Sequence, residues 1–355
     1  MKLAKLFFIV LVILAISACS DSSEKMVAQD GPYVGYKKIY VEFNSTGEQF
    51  PVALVYPSDT PSKKVKFGPF EMELSIGGKV TDGKFPLVII SHGSGGTNLG
   101  YRSIAFALVK KGFVVGMPLH PKNNFKDNEG EGTVSNWKNR PRHISASIDA
   151  VLSSRKVSES IDTDKIAVVG HSAGGYTALA VAGGVADTTH IIELCLSNSQ
   201  INEPFCGLVK ENKTEKVKIE NSHDKRIKAI VLMAPVGILF NSEDSLKDVD
   251  IPALLLRAEK DVELTEPYQA EVIAKNYKNQ ELLTYCTVPN AGHYSFITPF
   301  PEVIKGELGV VVEDPDGFSR QAFHELLSSD IVNFLDVVLN LKHNKKLQPT
   351  SCLGG

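Results

Sequence analysis

The sequence predicts an α/β fold built on a doubly wound, mostly parallel sheet. Short apolar runs alternate with helical patterns from residue 85 to 341, which is typical of repeated strand–helix–strand units. The run at 85–91 is apolar throughout, as expected for a strand covered on both faces. Sites in such sheets lie beyond the carboxyl ends of the strands. We therefore predict one domain over 33–341 with its site at that edge.

Two strands precede this alternating region. Residues 38–43 alternate in polarity, and 52–56 is the predicted antiparallel partner. Residues 57–84 are rich in Pro, Lys and Gly and predict an irregular surface segment. The later predicted strands are 85–91, 113–117, 166–169, 227–233, 253–258 and 281–288, and the predicted helices are 101–111, 140–154, 173–182, 267–277 and 323–338.

Two long stretches break the pattern. Residues 185–226 are mostly polar, and 298–319 carry no clear period. Loops of this length in a compact domain are often lids, so we predict lid-like loop insertions. Residues 342–355 are predicted to be a flexible tail.

Composition narrows the class of protein. The 355 residues are 43% hydrophobic and 22% charged, with a formal net charge of -3. This balance, with no Lys/Arg block in the middle of the chain, argues against a nucleic-acid partner. The oligomeric state does not follow from the sequence.

The N-terminus carries an export signal. Lys2 and Lys5 precede an apolar run at 6–16. A helix that spans a bilayer needs roughly 18 or more apolar residues, so this run is too short and is typical of a signal peptide. Ile16-Ser17-Ala18-Cys19 resembles the lipobox of bacterial lipoproteins, which implies cleavage before Cys19 and acylation of that residue. We predict a signal peptide over 1–18, a lipidated tether over 19–32 and membrane attachment in the bacterial cell envelope, with Ser20 favouring the outer membrane. A plain secretory peptide is the alternative.

Besides Cys19, the chain has four cysteines. Export permits disulfides. Cys195 and Cys206 lie close together inside one predicted insertion and are the predicted pair, while Cys286 falls in a strand and Cys352 near the end. No spacing of Cys and His matches a zinc site, and we expect neither a metal nor a cofactor.

One serine stands at a strand-to-helix reversal. Gly170-His171-Ser172-Ala173-Gly174 follows the predicted strand 166–169 and begins a helix. A serine at such a turn is exposed above the sheet on a strained backbone, beside helix N–H groups that favour negative charge. The flanking glycines are expected because a Cβ would collide with neighbouring elements. The alternative is a glycine-rich helix start with an exposed serine.

A serine nucleophile needs a base and an acid. His293 follows the last predicted strand, and Asp261 follows the strand before it. Among the other histidines, His171 is expected to point away, His92 to brace the glycine loop that follows it, and His120 and His143 to line the pocket, while His324 falls in the closing helix. Glu259, Glu263 and Asp187 are rival acids.

A glycine loop follows strand 85–91. His92-Gly93-Ser94-Gly95-Gly96 could cradle a phosphate, but it lacks the Gly-Lys-Ser/Thr ending of such loops. The alternative is a loop whose backbone N–H groups face an oxyanion.

The chain resembles the α/β-hydrolase superfamily. Within it, Ser91-His92-Gly93-Ser94-Gly95-Gly96, Gly170-His171-Ser172-Ala173-Gly174-Gly175 and Ala291-Gly292-His293-Tyr294-Ser295-Phe296 resemble the dienelactone hydrolase group related to platelet-activating-factor acetylhydrolases. The resemblance covers about residues 33–341. It implies Ser172 as nucleophile, His293 as base, Asp261 as acid, and an oxyanion hole made by the N–H groups of Ala173 and Ser94.

These inferences predict a serine hydrolase that cleaves carboxylic esters through an acyl-enzyme, with a small-molecule ester as its substrate and an acyl-chain length that the sequence does not specify. The same three residues would serve an amide or peptide hydrolase or an acyltransferase. A third possibility is a non-catalytic surface lipoprotein, since a fold does not determine function.

Overall fold

The structure is a computed structural model that describes residues 32–197, 203–211 and 214–340. In these residues the strands are β1 Tyr33–Phe43, β2 Glu48–Ser58, β3 Lys63–Phe67, β4 Phe70–Ile76, β5 Phe85–Ser91, β6 Val114–Pro118, β7 Ile161–His171, β8 Ile227–Met233, β9 Ala253–Ala258 and β10 Leu283–Val288. The helices are α1 Arg102–Lys110, α2 Val134–Leu152, α3 Ala173–Val181, α4 Thr189–Ser197, α5 Cys206–Lys210, α6 Ala270–Asn276, α7 Glu302–Lys305 and α8 Arg320–Asn340.

The described strands form one sheet in the order β10-β9-β8-β7-β5-β6-β2-β1-β4-β3. The pairs from β10 to β6 are parallel, whereas β2 runs antiparallel to both β6 and β1. The parallel strands therefore all direct their carboxyl ends to the same edge. This confirms the predicted mostly parallel α/β sheet.

Each central strand contributes to two cores. Ile166 and Val168 of β7 pack with α2 and α3 on one face, while Ala167 and Val169 pack with α1 and α8 on the other. All four side chains are fully buried. Burial on both faces explains why these strands are apolar in every position rather than in alternate ones.

The prediction of an irregular segment at 57–84 is wrong. β3 and β4 form an antiparallel hairpin, and β4 also pairs with β1 and so extends the sheet. Phe70, Met72 and Leu74 alternate with exposed glutamates and are buried. Only one face of this hairpin is covered, so its side chains alternate between buried and exposed. This alternation was the signal for a strand in the sequence. The Pro, Lys and Gly content of the segment led to the prediction of an irregular structure instead.

The two predicted loop insertions contain helices. The first, at 185–226, includes α4 and α5, and the predicted disulfide between Cys195 and Cys206 joins them, with a Cα–Cα distance of 5.4 Å. The second, at 298–319, includes α7. Only part of each segment is helical. The role of the two segments as lids stays a prediction.

The predicted signal peptide, Cys19 and most of the tether lie outside the described residues, as does the predicted tail. Among the helices that the structure describes, none combines the length and the apolar character needed to cross a membrane.

Candidate active site

Ser172 occupies a strained turn between β7 and α3. Its φ of 56° and ψ of -121° lie in a backbone region that residues other than glycine rarely adopt. The turn is held on both sides, because the Ser172 N–H donates to the Met233 carbonyl at 3.0 Å and the Ser172 carbonyl accepts from the Val236 N–H at 3.1 Å. The residue is therefore fixed at the carboxyl edge of the sheet.

The glycines beside Ser172 are required by close packing. A Cβ on Gly170 would lie 2.0 Å from the Gly174 carbonyl oxygen, and one on Gly174 would lie 2.0 Å from the Ser91 carbonyl oxygen. A Cβ on Gly175 would lie 2.5 Å from the Pro235 side chain. These contacts confirm the predicted steric reason for the motif.

His293 and Asp261 form a buried pair. The His293 Nδ1–H donates to Asp261 Oδ2 at 2.8 Å, and both side chains are about 6–7% exposed. The other carboxylate oxygen, Oδ1, accepts from the N–H groups of Glu263 at 2.9 Å and Leu264 at 2.8 Å. This arrangement fixes the imidazole so that Nε2 remains for a partner in the cavity.

The rival acids make other contacts. Glu259 accepts from the Asn290 N–H at 2.7 Å, and Asp187 accepts from the Thr189 N–H at 2.8 Å. Glu263 lines the cavity but does not hold the imidazole. Among these carboxylates, Asp261 is the one bonded to His293.

The expectation that His171 points away from the site is wrong. Its ring lies 4.8 Å from the His293 ring, and its Nε2–H donates to the His293 carbonyl at 2.9 Å. Its Nδ1 accepts from the Tyr101 hydroxyl at 2.7 Å. Burial lowers the pKa of His171 well below its ordinary value, so the ring is neutral. The side chain therefore packs against His293 and lines the cavity.

The glycine loop lies directly against Ser172. A Cβ on Gly93 would lie 3.1 Å from Ser172 Cβ, and Ser94 and Ala173 both line the same cavity as Ser172. In the described part of the chain, the N–H groups of Ser94 and Ala173 donate to no other protein group. They are available to an oxygen bound beside Ser172.

A buried arginine supports this loop from below. Arg140 on α2 is 0% exposed. It donates to the His92 carbonyl, to Asn123 Oδ1, to Thr177 Oγ1 at 2.9 Å and to Ser91 Oγ at 3.3 Å. All four acceptors are neutral, so no anionic partner offsets the charge of Arg140. Burial lowers its pKa to about 9, which leaves the guanidinium positively charged at neutral pH.

Histidines surround the arginine. His92 Nδ1–H donates to the Gly93 carbonyl at 2.7 Å while Nε2 accepts from the His120 N–H, so His92 braces the loop as expected. His120 and His143 bond to each other and do not line the cavity, contrary to expectation. Burial, together with the Arg140 charge, lowers the pKa of His92 and His143 to about 3, so both are neutral.

Arg140 was missed by the sequence analysis, although a signal existed. It precedes Ile144 and Ile148 by four and eight residues, which places it on the buried face of the same helix. A charged residue in that register requires internal partners.

Ser172 and His293 face one cavity of about 270 Å³. Its wall combines apolar and aromatic residues with two glutamates and the glycine loop: Tyr101, Glu131, Trp137, Pro204, Phe205, Leu208, Val236, Glu263, Leu264, Tyr294 and Ile297. Among the described residues, no group of three or more His, Cys, Asp or Glu side chains is arranged to hold a metal ion.

The family model described as chlorophyllase matches residues 57–238, just over half of the 355 residues. The chain belongs to the chlorophyllase family. This makes the protein an esterase-type hydrolase of the α/β hydrolase superfamily. The match includes β5, the glycine loop and the Ser172 turn, and it ends before β9 and β10.

Solved structures share the fold of this chlorophyllase-family protein. A ferulic acid esterase from Streptomyces cinnamoneus is similar with a TM-score of 0.59 at 16% identity, covering 92% of this chain and 95% of its own. A dienelactone hydrolase-like promiscuous phosphotriesterase from metagenomic libraries has a TM-score of 0.51 at 13% identity, covering 86% and 99%. No curated protein matches the sequence. The predicted link to platelet-activating-factor acetylhydrolases stays a prediction.

Proposed function

We propose that the protein hydrolyses small carboxylic esters through an acyl-enzyme on Ser172. The observation that carries the proposal is the His293–Asp261 pair, which opens onto the same cavity as a serine held at a strained turn. His293 would take the Ser172 proton as the hydroxyl attacks the ester carbonyl, and Asp261 would stabilise the resulting imidazolium.

The Ser94 and Ala173 N–H groups would then donate to the oxyanion, where each such donor contributes roughly 3 kcal/mol. The alcohol leaves with the proton from His293. Water, deprotonated by the same histidine, attacks the acyl-enzyme and releases the acid. The strain at Ser172 is consistent with this role, because backbone strain concentrates at functional sites.

The size of the cavity favours a small ester. Its volume of about 270 Å³ falls slightly below the range of roughly 300–1,000 Å³ usual for pockets that hold drug-sized ligands. Chlorophyll, which the family description names, has a ring system and a long alcohol chain that exceed this volume. We therefore place a short ester ahead of chlorophyll.

Replacement of the serine tests the proposal. We expect Ser172→Ala to lower kcat/KM for p-nitrophenyl acetate by about 10⁴-fold, because the nucleophile is lost while the folded site remains. A fluorophosphonate probe should label the native protein at Ser172 and fail to label the variant. Ser153→Ala, an exposed serine at the end of α2, is the matched control.

Equal rates for Ser172→Ala and the native protein would contradict the proposal. Labelling of Ser172 without hydrolysis of any ester, accompanied by cleavage of amides or by acyl transfer, would replace it with one of the alternatives that share the triad. Chlorophyll belongs in the substrate panel, and its turnover above that of short esters would overturn the proposed substrate size.

A further inference from the structure

The charged side chains that line the cavity at Ser172 are all acidic. Glu131 and Glu263 line it, Asp261 lies directly behind His293, and no described lysine or arginine is among the lining residues. Resting on the esterase function proposed above, we propose that the site prefers esters bearing a positively charged ammonium group and discriminates against esters bearing a carboxylate. Glu131 and Glu263 are the specificity-determining residues.

The carboxylates act on the same point of the wall. The pKa of the Tyr294 hydroxyl is raised to about 12, first by burial and then by the neighbouring carboxylates of Glu263, Asp261 and Glu131. The three carboxylates therefore oppose a new negative charge at Tyr294. A cation bound there would gain from the same field.

No described lysine or arginine lines the cavity beside these two glutamates. Glu131 accepts from the neutral amide of Asn128 at 2.9 Å, and Glu263 acts on the neutral Tyr294 hydroxyl. Arg140 is beneath the glycine loop and does not line the cavity. The positive charge thus lies behind the oxyanion side, while the negative charges face the rest of the substrate.

Aromatic side chains supply a second reason to favour an ammonium group. Trp137, Phe205, Tyr101 and Tyr294 all line the cavity. The Trp137 and Phe205 rings are stacked with centroids 5.9 Å apart. A cation over the face of such rings is attracted by their quadrupole, and the attraction grows as water is removed. Carboxylates and ring faces together therefore suit an ammonium group and not a carboxylate.

Matched ester pairs test this preference. Acetylcholine and 3,3-dimethylbutyl acetate have the same shape and differ in a charge on the alcohol. The ethyl esters of glycine betaine and 3,3-dimethylbutanoate differ in the same way on the acyl side, and 3-acetoxypropanoate supplies a carboxylate. The ammonium group withdraws electrons and speeds hydrolysis without the enzyme, so kcat/KM is divided by the rate of hydroxide-catalysed hydrolysis of each ester. In at least one pair we expect this normalised kcat/KM to be about tenfold higher for the cation at low salt, and the anionic ester to be the poorest substrate.

Salt and charge-removing variants identify the cause. Raising salt from about 10 mM to 1 M shortens the screening length from roughly 30 Å to 3 Å, so the ratio of cationic to neutral ester should fall. Glu131→Gln and Glu263→Gln should each lower the ratio of normalised kcat/KM for the cationic and the neutral ester, and the double variant should bring this ratio near one. Both esters are measured on one preparation of each variant, so that the fraction of active enzyme cancels. Glu73→Gln, which removes an exposed charge on β4, should keep the native ratio.

Equal kcat/KM for the members of both pairs, or a ratio that the double variant leaves intact, would overturn this inference while the esterase function stands. Absence of hydrolysis of every ester would instead contradict the proposed function itself. A preference for the anionic ester would reverse the assignment of the subsite.

Discussion

At the scale of single residues, the site depends on positions where a side chain is excluded. Gly170 and Gly174 let β7, β5 and the start of α3 approach each other at the turn of Ser172, and Gly175 lets α3 approach Pro235 after β8. The contacts involve backbone atoms of neighbouring elements, which cannot move aside as a flexible side chain would. The strained φ of Ser172 persists because these contacts prevent the turn from adopting another backbone conformation.

Gly170→Ala should therefore unfold the protein or destabilise it by roughly 3 kcal/mol or more, since the new Cβ would overlap the Gly174 carbonyl oxygen. Gly207→Ala is the matched control, because nothing lies within 4 Å of its added Cβ, and it should be neutral or stabilise by up to about 1 kcal/mol. Urea unfolding of both variants measures the difference. A stable Gly170→Ala protein would show that β7 and α3 can separate.

At the scale of elements, the wall of the cavity near Phe205 depends on two anchors. The Cys195–Cys206 disulfide ties α5 to α4. Glu203, buried and just before Phe205, accepts from the Thr265 N–H and from Gln269 Nε2, each at 3.0 Å. Because Thr265 closely follows Asp261, Glu203 connects this wall to the loop that carries the predicted acid.

Replacing both cysteines with alanine should lower the unfolding free energy by about 2–3 kcal/mol, the loop-closure value for a bridge across 11 positions. It should also raise KM more than it lowers kcat, because Phe205 and Leu208 contact substrate space and not the reacting groups. Steady-state kinetics and urea unfolding check both effects, with dithiothreitol treatment of the native protein as the control. Unchanged KM in both would show that the wall keeps its position without the disulfide.

At the scale of the whole molecule, the described core holds five buried histidines whose cationic forms are disfavoured. Burial is the main cause in each. It lowers the pKa of His92 and His143 to about 3 and of His324 to about 4, and it lowers the pKa of His120 and His171 well below the ordinary value. An unfolded histidine has a pKa near 6.5. Below that pH the unfolded chain binds more protons than the folded protein.

The unfolding free energy should consequently fall as pH drops from about 7 to 5, by up to about 1.4 kcal/mol per pH unit for each of these histidines. Urea titrations across this window measure the slope. His143→Leu should reduce the slope by close to one proton even if it is less stable at pH 7, because one buried histidine is removed. A flat profile in the native protein would mean that these rings accept protons while folded.

Local signals were sufficient to propose the three catalytic residues, although they left Glu259, Glu263 and Asp187 as rivals of Asp261. Ser172, Asp261 and His293 each follow a strand recognisable from its apolar run, and parallel strands direct their carboxyl ends to one edge. The sequence did carry signals for Arg140 and for the β3–β4 hairpin. Arg140 lies four residues before a buried isoleucine of the same helix, and the residues of β4 alternate between apolar and charged. The charge of Arg140 and the Pro, Lys and Gly content around the hairpin pointed to surface positions instead. His171 could not be assigned correctly, since its position depends on His293, 122 residues later in the chain.

By itself, the sequence determined the α/β fold, the order of the central elements, the Cys195–Cys206 pairing and the glycines that the Ser172 turn requires. Those features follow from local periodicity, spacing and steric size. Only the tertiary structure decided that Asp261 is the residue bonded to His293, that Arg140 lies beneath the glycine loop, and that Glu131 and Glu263 face one cavity. These are long-range contacts, and their geometry is set by how the two layers of helices pack on the sheet.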